Sequence, residues 1–450
     1  MIANLRNVTD PDFTKGIVWK NHSWGEFEPR FGFAWSPTAN GKTSVRGGVG
    51  LFRTPLDSDL YWTAMSRTWP FQPELRYALT AADAQFFPRA LPLIASKFAS
   101  FNHGVAAAWD YDNMRSPQVW QFNTTVQQQL GDSSVVSIGY TGHRGKNQTS
   151  YGDYNVPPAF FNGVSYEYPA DAKKLNPNFE GINVAKTNAR SWYNGMLMSF
   201  QRRFSEGLQV QVAYTYSKLI AESDTDLKTT EVSTGGAGPI KEVYDLTSQR
   251  GLSSYDIRNV LSVNYTYDIP FGRGWRGLAG GLFSGWRLSG IVKMQNGQPF
   301  WISRGIPTFL AGLRGGSGTV SPNLVPGYTR DKITWGAPNK SMDPTGRQRY
   351  FDPAAYSLPG PRELGNVGKN TLIGPGFSVW NASLSKNTKV GEGMNLEFRS
   401  EFFNVLNHPN FGQPGATVFD AAGRPQGDAG VIQTTSSTSR QIQFGLKLSF

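Results

Sequence analysis

The segment RQIQFGLKLSF, residues 440–450, alternates strictly between apolar residues and polar or small ones. Its apolar positions are Ile442, Phe444, Leu446, Leu448 and Phe450. Because successive side chains on a β-strand point to opposite faces, the pattern predicts a strand with one wholly apolar face. A tilted strand of about 9–11 residues is also long enough to cross a bilayer. Taken alone, the segment fits the last strand of a soluble sandwich or barrel equally well.

The composition of the chain favours an all-β protein. Aromatic residues make up 13% of the sequence, and it contains 50 Gly and 28 Pro but only 17% charged residues. This profile is rich in strand and turn formers. No apolar run approaches the roughly 18 residues that a transmembrane helix requires. A membrane location would therefore require a barrel, whose strands are apolar only at alternate positions.

Charge and cysteine content exclude several functions. The formal net charge is +11, but the basic residues are dispersed, with only isolated pairs such as Lys173-Lys174. Nucleic-acid binding uses a concentrated basic patch, so we expect no nucleic-acid partner and favour contacts with anionic headgroups or ligands. The chain has no Cys, which excludes disulfides, thiolate metal sites and cysteine nucleophiles. No motif calls for a cofactor.

The alternating pattern recurs in ten further segments, which form five pairs. They lie at residues 31–36 and 45–51, 118–130 and 136–141, 196–204 and 208–217, 261–269 and 286–294, and 380–384 and 394–402. The clearest is 208–217, where Leu208, Val210, Val212, Tyr214 and Tyr216 alternate with mostly polar residues, among them Gln209, Gln211, Thr215 and Ser217. Together with residues 440–450, these segments predict about eleven antiparallel strands.

The connections between these segments fall into two classes. Those within pairs are short, whereas those between pairs are long, at roughly 54–117, 144–191, 219–257, 297–376 and 404–439. This alternation predicts an outer-membrane β-barrel with short periplasmic turns and long extracellular loops. Because an odd number of antiparallel strands leaves the first and last strands parallel, eleven strands predict part of a larger barrel. The N-terminal residues MIANLRNVTDPDF lack an apolar region and a cleavage site, so no signal peptide is expected.

Five stretches resemble one protein family. They are residues 29–52, 254–275, 370–387, 396–414 and 437–450, and the combination of FFNVLNHPNF (402–411) with the terminal strand is especially specific. They resemble the C-terminal half of the β-barrel of TonB-dependent outer-membrane receptors. The subtype they resemble is the large one whose members begin with a carboxypeptidase-regulatory-like domain.

The resemblance implies a barrel of about 22 strands with a plug inside it, energised by an inner-membrane TonB complex through a short N-terminal box. We expect residues 1–450 to form one partial barrel domain without the plug, the box or the first half of the barrel. The implied location is the bacterial outer membrane. The implied partners are membrane lipid, the missing barrel half and plug, the TonB complex through that missing part, and the outer-membrane assembly machinery, which engages a C-terminal aromatic strand.

The function that follows is participation in the uptake of a large or scarce solute, without enzyme activity. Two alternatives remain open at this stage. The chain itself could form a passive porin-like pore or a surface adhesin, or it could be a soluble glycan-binding β-protein.

Motifs with possible chemistry are few. Ser383 and Lys386 match S-x-x-K, a serine-nucleophile signature, but on a strand these positions point to opposite faces. The four His residues show no metal-ligand spacing. Acidic residues 222, 224 and 226 could contact a cation, although a solvated acidic loop is the favoured interpretation.

Two groups of residues are candidates for contact with a solute. Connection 54–117 offers aromatic rings for stacking and arginines for anions, although packing of the loop on itself over the barrel mouth is the favoured interpretation. Its candidates are Trp62, Arg67, Trp69, Phe71, Arg76 and Arg89. A second group, Glu397, Arg399, Glu401 and Lys447, is expected to face the lumen. We favour a structural charge ladder for this second group over solute contact.

Overall fold

The computed structural model describes residues 3–20, 22, 24–56, 103–224, 241–314, 320–334, 346 and 348–450. Its main feature is a sheet of eleven strands that follow one another in chain order, each antiparallel to its neighbours. The strands are β1 (Arg30–Trp35), β2 (Thr43–Arg53), β3 (Gln118–Leu130), β4 (Ser134–Asp153), β5 (Phe179–Ser205), β6 (Leu208–Ala221), β7 (Asn259–Asp268), β8 (Trp286–Gln295), β9 (Phe377–Gly391), β10 (Met394–Phe403) and β11 (Gln441–Ser449). The predicted all-β class and the number of strands are confirmed.

The sheet is open at both sides. β1 pairs with β2, and β11 pairs with β10. Over the described ranges, no strand pairing joins β1 to β11. Because eleven is odd, these two edge strands run parallel to each other, as the sequence predicted.

One face of the sheet is predominantly apolar. The strand registers align whole rows of apolar side chains across several strands, such as the row of Phe200, Val212, Val263, Val292 and Trp380. At Gly290, which lies on the same face, an added Cβ would lie 2.5 Å from the hydroxyl of Tyr265. The bare glycine lets the Tyr265 hydroxyl accept a hydrogen bond of 3.0 Å from the indole of Trp380.

Short elements accompany the sheet. Strand Gly251–Leu252 pairs with β6, and His103–Trp109 runs parallel to β5. Four two-stranded ribbons pair Ala3–Asn4 with Thr14–Lys15, Phe160–Phe161 with Tyr166–Glu167, Pro299–Phe300 with Leu372–Ile373, and Asn323–Leu324 with Tyr356–Ser357. Among the described residues, the helices are α1 (Gly277–Phe283), α2 (Thr308–Leu313) and α3 (Arg330–Ile333), with 3-10 turns at Leu246–Gln249 and Pro353–Ala355. Within the part of the chain that the structure describes, none of the helices has the length and apolar character to span a membrane.

The connections alternate in length as predicted, but one predicted boundary is wrong. Hairpins β3–β4, β5–β6 and β9–β10 turn within two or three residues, whereas the next strands are reached through 154–178, 222–258 and 404–440. The loop expected at 144–191 is shorter because β4 continues to Asp153 and β5 already begins at Phe179. These extensions pair with each other, with register shifts on either side of Ala189.

The buried apolar residues lie mainly in the long connections. One cluster includes Tyr154, Tyr168, Leu246, Leu310 and Leu364. A second cluster includes Ile302, Phe351, Tyr356, Leu372 and Val418. We call the described parts of the long connections, from residue 154 to residue 440, the cap. Since antiparallel topology brings all of these connections to the same end of the sheet, the cap forms a packed layer there.

Candidate functional site

The polar face of the sheet carries a ladder of charged residues on β10. Arg399 donates to Glu397 with an Nη2 to Oε1 distance of 2.6 Å, and its Nη1 lies 3.7 Å from Oε1 of Glu401. The three residues alternate with Leu396 and Phe398, which lie on the apolar face. β10 therefore places all three charges on one side, as its sequence alternation predicts.

Neighbouring strands extend this ladder on both sides. On β11, Gln443 donates a hydrogen bond to Glu401, and Lys447 lies directly opposite Glu397. On the other side, Arg287 of β8 pairs with Asp268 of β7, with an Nε to Oδ1 distance of 2.6 Å. The four predicted residues thus lie together on one face, within a wider polar band.

This band adds little to stability because its charges are exposed. The Arg399 side chain is 51% exposed, and ion pairs between exposed groups contribute about 0–1 kcal/mol. A band of alternating charge on one face of the sheet suits contact with water or with another polar surface. The arrangement does not by itself form an enclosed site for a small molecule.

The candidate residues of connection 54–117 lie outside the described residues. They are Trp62, Arg67, Trp69, Phe71, Arg76 and Arg89. Their role in solute contact stays a prediction.

The acidic residues after β6 differ from the favoured interpretation of a solvated loop. The Glu222 side chain is only 1% exposed and accepts hydrogen bonds from Nε and Nη2 of Arg190 at 3.0 and 2.7 Å. Asp224 lies 2.9 Å from Nζ of Lys369. Each carboxylate has a cationic partner, Arg190 of β5 for Glu222 and Lys369 of the cap for Asp224, which offsets the cost of removing the charge from water. Asp226 lies outside the described residues. Over the described ranges, no group of three His, Asp or Glu residues could hold a metal ion.

The two residues of the S-x-x-K match lie on opposite faces of β9, as predicted for a strand. Ser383 lies opposite Glu401 on the polar face, whereas Lys386 lies opposite Phe398 on the apolar face. The Lys386 ammonium donates to the carbonyl oxygen of Ser284 at 3.0 Å. Serine and lysine therefore cannot act together as nucleophile and base.

Buried polar groups hold the cap in one shape. Lys241 donates to the carbonyl oxygens of Gly365 and Val367 at 3.1 and 2.6 Å, which ties two long connections together. Its burial lowers the pKa of Lys241 to about 8, and burial also raises the pKa of the neighbouring Glu242 carboxyl. Such buried hydrogen bonds between separate connections indicate a preformed surface rather than loops that order on binding.

The motif FFNVLNHPNF has a structural role that sequence patterns did not reveal. Asn404 and Asn407 adopt left-handed backbone conformations, with φ of 53° and 50°. Asn410 accepts from the backbone N–H of Ser378 at 2.7 Å and donates to the carbonyl oxygen of the same residue at 3.0 Å. Its amide also donates to the hydroxyl of Ser437 at 2.9 Å. The motif therefore joins the end of β10 to β9 and to the segment that leads into β11.

Comparison with known proteins adds a family and several structural neighbours. A family model described as "Outer membrane beta barrel domain" matches residues 8–443. No curated protein matches the chain. Among solved structures, the outer membrane transporter YddB from Escherichia coli is 10% identical and has a TM-score of 0.46. The match covers 94% of this chain and 40% of that protein.

Two further solved structures are similar at a comparable level. The FrpB iron transporter from Neisseria meningitidis is 9% identical, with a TM-score of 0.38 and coverage of 94% of this chain and 39% of its own. The siderophore receptor PiuA from Acinetobacter baumannii is 7% identical, with a TM-score of 0.40 and coverage of 93% and 35%. The chain spans 40% or less of the length of all three proteins.

Proposed function

Because this chain belongs to the outer membrane β-barrel domain family and its place is therefore the bacterial outer membrane, we propose that it forms part of the wall of a TonB-dependent receptor. The receptor would import a large or scarce solute. The family is one of membrane barrel domains, and the chain is not an enzyme. One observation carries the proposal: a sheet of eleven strands with a predominantly apolar face and two open edges.

The open edges require further strands. In hydrocarbon, an unpaired strand edge leaves a row of backbone amides and carbonyls without partners, at several kcal/mol for each group. Since β1 and β11 run parallel, they cannot close the sheet through regular antiparallel pairing. We propose that strands from another segment complete the wall, and that the plug and the TonB contact belong to that part.

The two faces of the sheet give an orientation to this wall. The apolar face lies against lipid, because backbone pairing leaves only the outward side chains to contact hydrocarbon. The polar face, with Glu397, Arg399, Glu401 and Lys447, lines the lumen and contacts water or the plug. The cap lies outside the cell and the short turns lie in the periplasm.

A large solute is consistent with a wide barrel. A wall of about 22 strands encloses a lumen that a plug must fill. The packed cap would present the solute with a preformed surface, on which the aromatic and basic residues of connection 54–117 are the candidate contacts. Specificity for a particular solute belongs to those contacts and to the plug.

The first test distinguishes this function from that of a passive pore. The purified 450-residue chain is added to planar bilayers, and its migration on gels with and without heating is compared in parallel. We expect no steady conductance, because an open sheet cannot enclose a water-filled channel. Steady open channels of porin size would overturn the proposal in favour of a pore formed by this chain.

The second test addresses the dependence on TonB. The complete receptor that is proposed to contain this chain is extracted from outer membranes in detergent. It is then passed over an immobilised periplasmic domain of TonB. The refolded 450-residue chain serves as the matched control, since it lacks the proposed contact. Retention of the extracted protein but not of the control is expected, and retention of neither would rule out TonB dependence.

A further inference from the structure

A cavity of about 930 Å³ lies beside the apolar face, at the end of the sheet that carries the cap. Its floor includes Tyr214, Leu261 and Met294, which lie directly opposite one another on β6, β7 and β8. These three side chains belong to the same apolar face as Val212. The cavity is therefore continuous with the surface that lies against lipid, and it is far from both open edges of the sheet.

The walls of the cavity come from two parts of the cap. Tyr350 lines one side, and its hydroxyl donates to the carbonyl oxygen of Ile373 at 2.9 Å. His408, Pro409 and Phe411 line the other side. Since Asn410 bonds this second wall to β9, the groove is preformed rather than a gap between loose loops. Its size falls within the about 300–1,000 Å³ typical of ligand pockets.

Arg349 gives this groove a positive charge. Its Nη1 donates to the carbonyl oxygen of Ala429 at 2.8 Å and its Nη2 to that of Gly427 at 3.3 Å. Among the residues with a described position, Arg349 has no acidic partner. A guanidinium that is fixed by backbone carbonyls and has no carboxylate partner favours the binding of an anion at the rim of an otherwise apolar groove.

The position of aromatic residues indicates the depth of the groove in the membrane. Tyr140 and Tyr216 lie on the apolar face in one cross-strand row. This row is two residues nearer to the cap than the row of Tyr214. Further toward the cap, Arg144 lies between Trp120 and Trp192. Tyr and Trp concentrate where hydrocarbon meets headgroups. The groove floor therefore lies one row of side chains below this boundary, among the acyl chains in the half of the hydrocarbon region nearer to the cap.

We propose that this groove binds an acyl chain of a phosphorylated lipid of the outer leaflet, with a phosphate group at Arg349. The apolar floor takes the chain, and the guanidinium at the rim takes the anionic headgroup. This site goes beyond solute uptake. It rests on the proposed orientation, in which the cap faces the cell exterior. The bound lipid would join the cap to the membrane surface and stabilise connections 348–376 and 404–440.

The test measures lipid retained by protein purified from outer membranes in detergent, with diphosphorylated lipid A as the probe and native mass spectrometry as the readout. Leu261→Trp fills the floor of the groove, and we expect it to lower lipid A retention about tenfold. The matched control is Leu288→Trp, on the same face but at the opposite end of β8, which should retain lipid A at the parental level. If Leu261→Trp does not fold by heat-modifiable migration, Met294→Trp tests the same floor.

A second variant tests the charge. Arg349→Gln should weaken retention of diphosphorylated lipid A about tenfold, the loss expected for a hydrogen bond to a charged group. It should leave retention of a dephosphorylated analogue unchanged. Arg424→Gln is the control, since Arg424 is exposed in the same cap and already paired with Asp420. Arg349→Gln and Arg424→Gln leave the residues of the polar face unchanged. A negative result for lipid A is therefore distinguishable from a negative result in the conductance and TonB tests.

Three results would each overturn the proposal. The first is equal lipid A retention by Leu261→Trp and Leu288→Trp. The second is preferential retention of phosphatidylglycerol over lipid A, which would assign the groove to the inner leaflet. The third is a mass that corresponds to two protein copies, lost in Leu261→Trp, which would make the groove a protein interface.

Discussion

Two adjacent residues of β6, Val212 and Gln211, lie in opposite surroundings. Val212 lies opposite Val263, whereas Gln211 lies opposite Asn264. We expect Val212→Arg to lower the free energy of unfolding by about 2–4 kcal/mol, because it places a cation at the bilayer midplane. Gln211→Arg should cost much less, since its guanidinium would reach water in the lumen. Denaturant unfolding in lipid vesicles measures both variants, and equal costs would contradict the assignment of the two faces.

A buried asparagine in the segment after β10 should contribute strongly to stability. Asn410 is 1% exposed, and its amide group bonds Ser378 and Ser437. We expect Asn410→Ala to cost about 1–3 kcal/mol, because buried backbone groups lose their partners. Asn395→Ala, at an exposed position of β10, is the control and should be nearly neutral. The same unfolding assay applies, and a neutral Asn410→Ala would show that the motif does not fix the strand ends.

Contacts between residues far apart in the sequence could not be predicted from sequence patterns. The stretch FFNVLNHPNF, together with the terminal strand, carried the family resemblance, yet Asn410 bonds Ser378, which lies 32 residues away in the sequence. No local pattern encodes such a contact. The charges of Glu397 and Arg399 were assigned to one face because strand alternation is local, and the structure places them there. The pairing of Glu222 with Arg190 was missed for the same reason as the contacts of Asn410, because the two residues lie far apart in the sequence.

At the scale of a strand, β11 is the element with the largest predicted effect on assembly. Its apolar residues are highly exposed, with Phe444 and Leu446 each 71% exposed and Phe450 98% exposed. Its outer edge must pair with another strand, and the resemblance assigns its aromatic end to the assembly machinery. Deletion of Phe450, or Phe450→Asp, should therefore lower the folded, heat-modifiable fraction in outer membranes.

The matched control for this effect lies on the same strand. Lys447→Gln changes a residue of the polar face, opposite Glu397, and should be mild. Outer membranes from cells that express each variant in the complete receptor supply the material. Folding of both Phe450 variants at the parental level would show that the end of β11 does not direct insertion.

Strand positions were predictable and strand ends were not. The period of two in segments such as 208–217 is a direct consequence of strand geometry, so all eleven strands were found. The extensions at 145–153 and 179–191 lack a sustained alternation, because their apolar residues, such as Phe179 and Ile182, pack into the buried cluster of the cap rather than against lipid. Periodicity therefore stopped at the expected membrane boundary, while the hydrogen-bonded strands continued.

At the scale of the whole molecule, the chain combines two kinds of packing. The sheet exposes its apolar side chains, whereas the cap buries its own, as in the clusters around Tyr168 and Phe351. The sequence indicated long connections rich in Gly, Pro, Asn and aromatics. Their packing could not be predicted because it depends on contacts between connections far apart in the sequence.

The orientation of this molecule in the membrane can be measured with single cysteines, because the natural sequence contains none. Asp171 is exposed in connection 154–178, and Glu392 is exposed in the turn between β9 and β10. If the cap is extracellular, a membrane-impermeant maleimide should label Asp171→Cys in intact cells. Glu392→Cys should react only after the outer membrane is disrupted, because the turn lies in the periplasm.

The same labelling would decide where connection 54–117 lies, since it leaves the sheet at the same end as 154–178. Antiparallel strands require both connections to share one side of the membrane, so protease added outside intact cells should cut within 54–117. Labelling of Glu392→Cys but not of Asp171→Cys in intact cells would show that the orientation is the reverse of the proposed one. The aromatic and basic residues of 54–117 could then no longer contact a solute arriving from outside, and the lipid groove would lie in the inner leaflet.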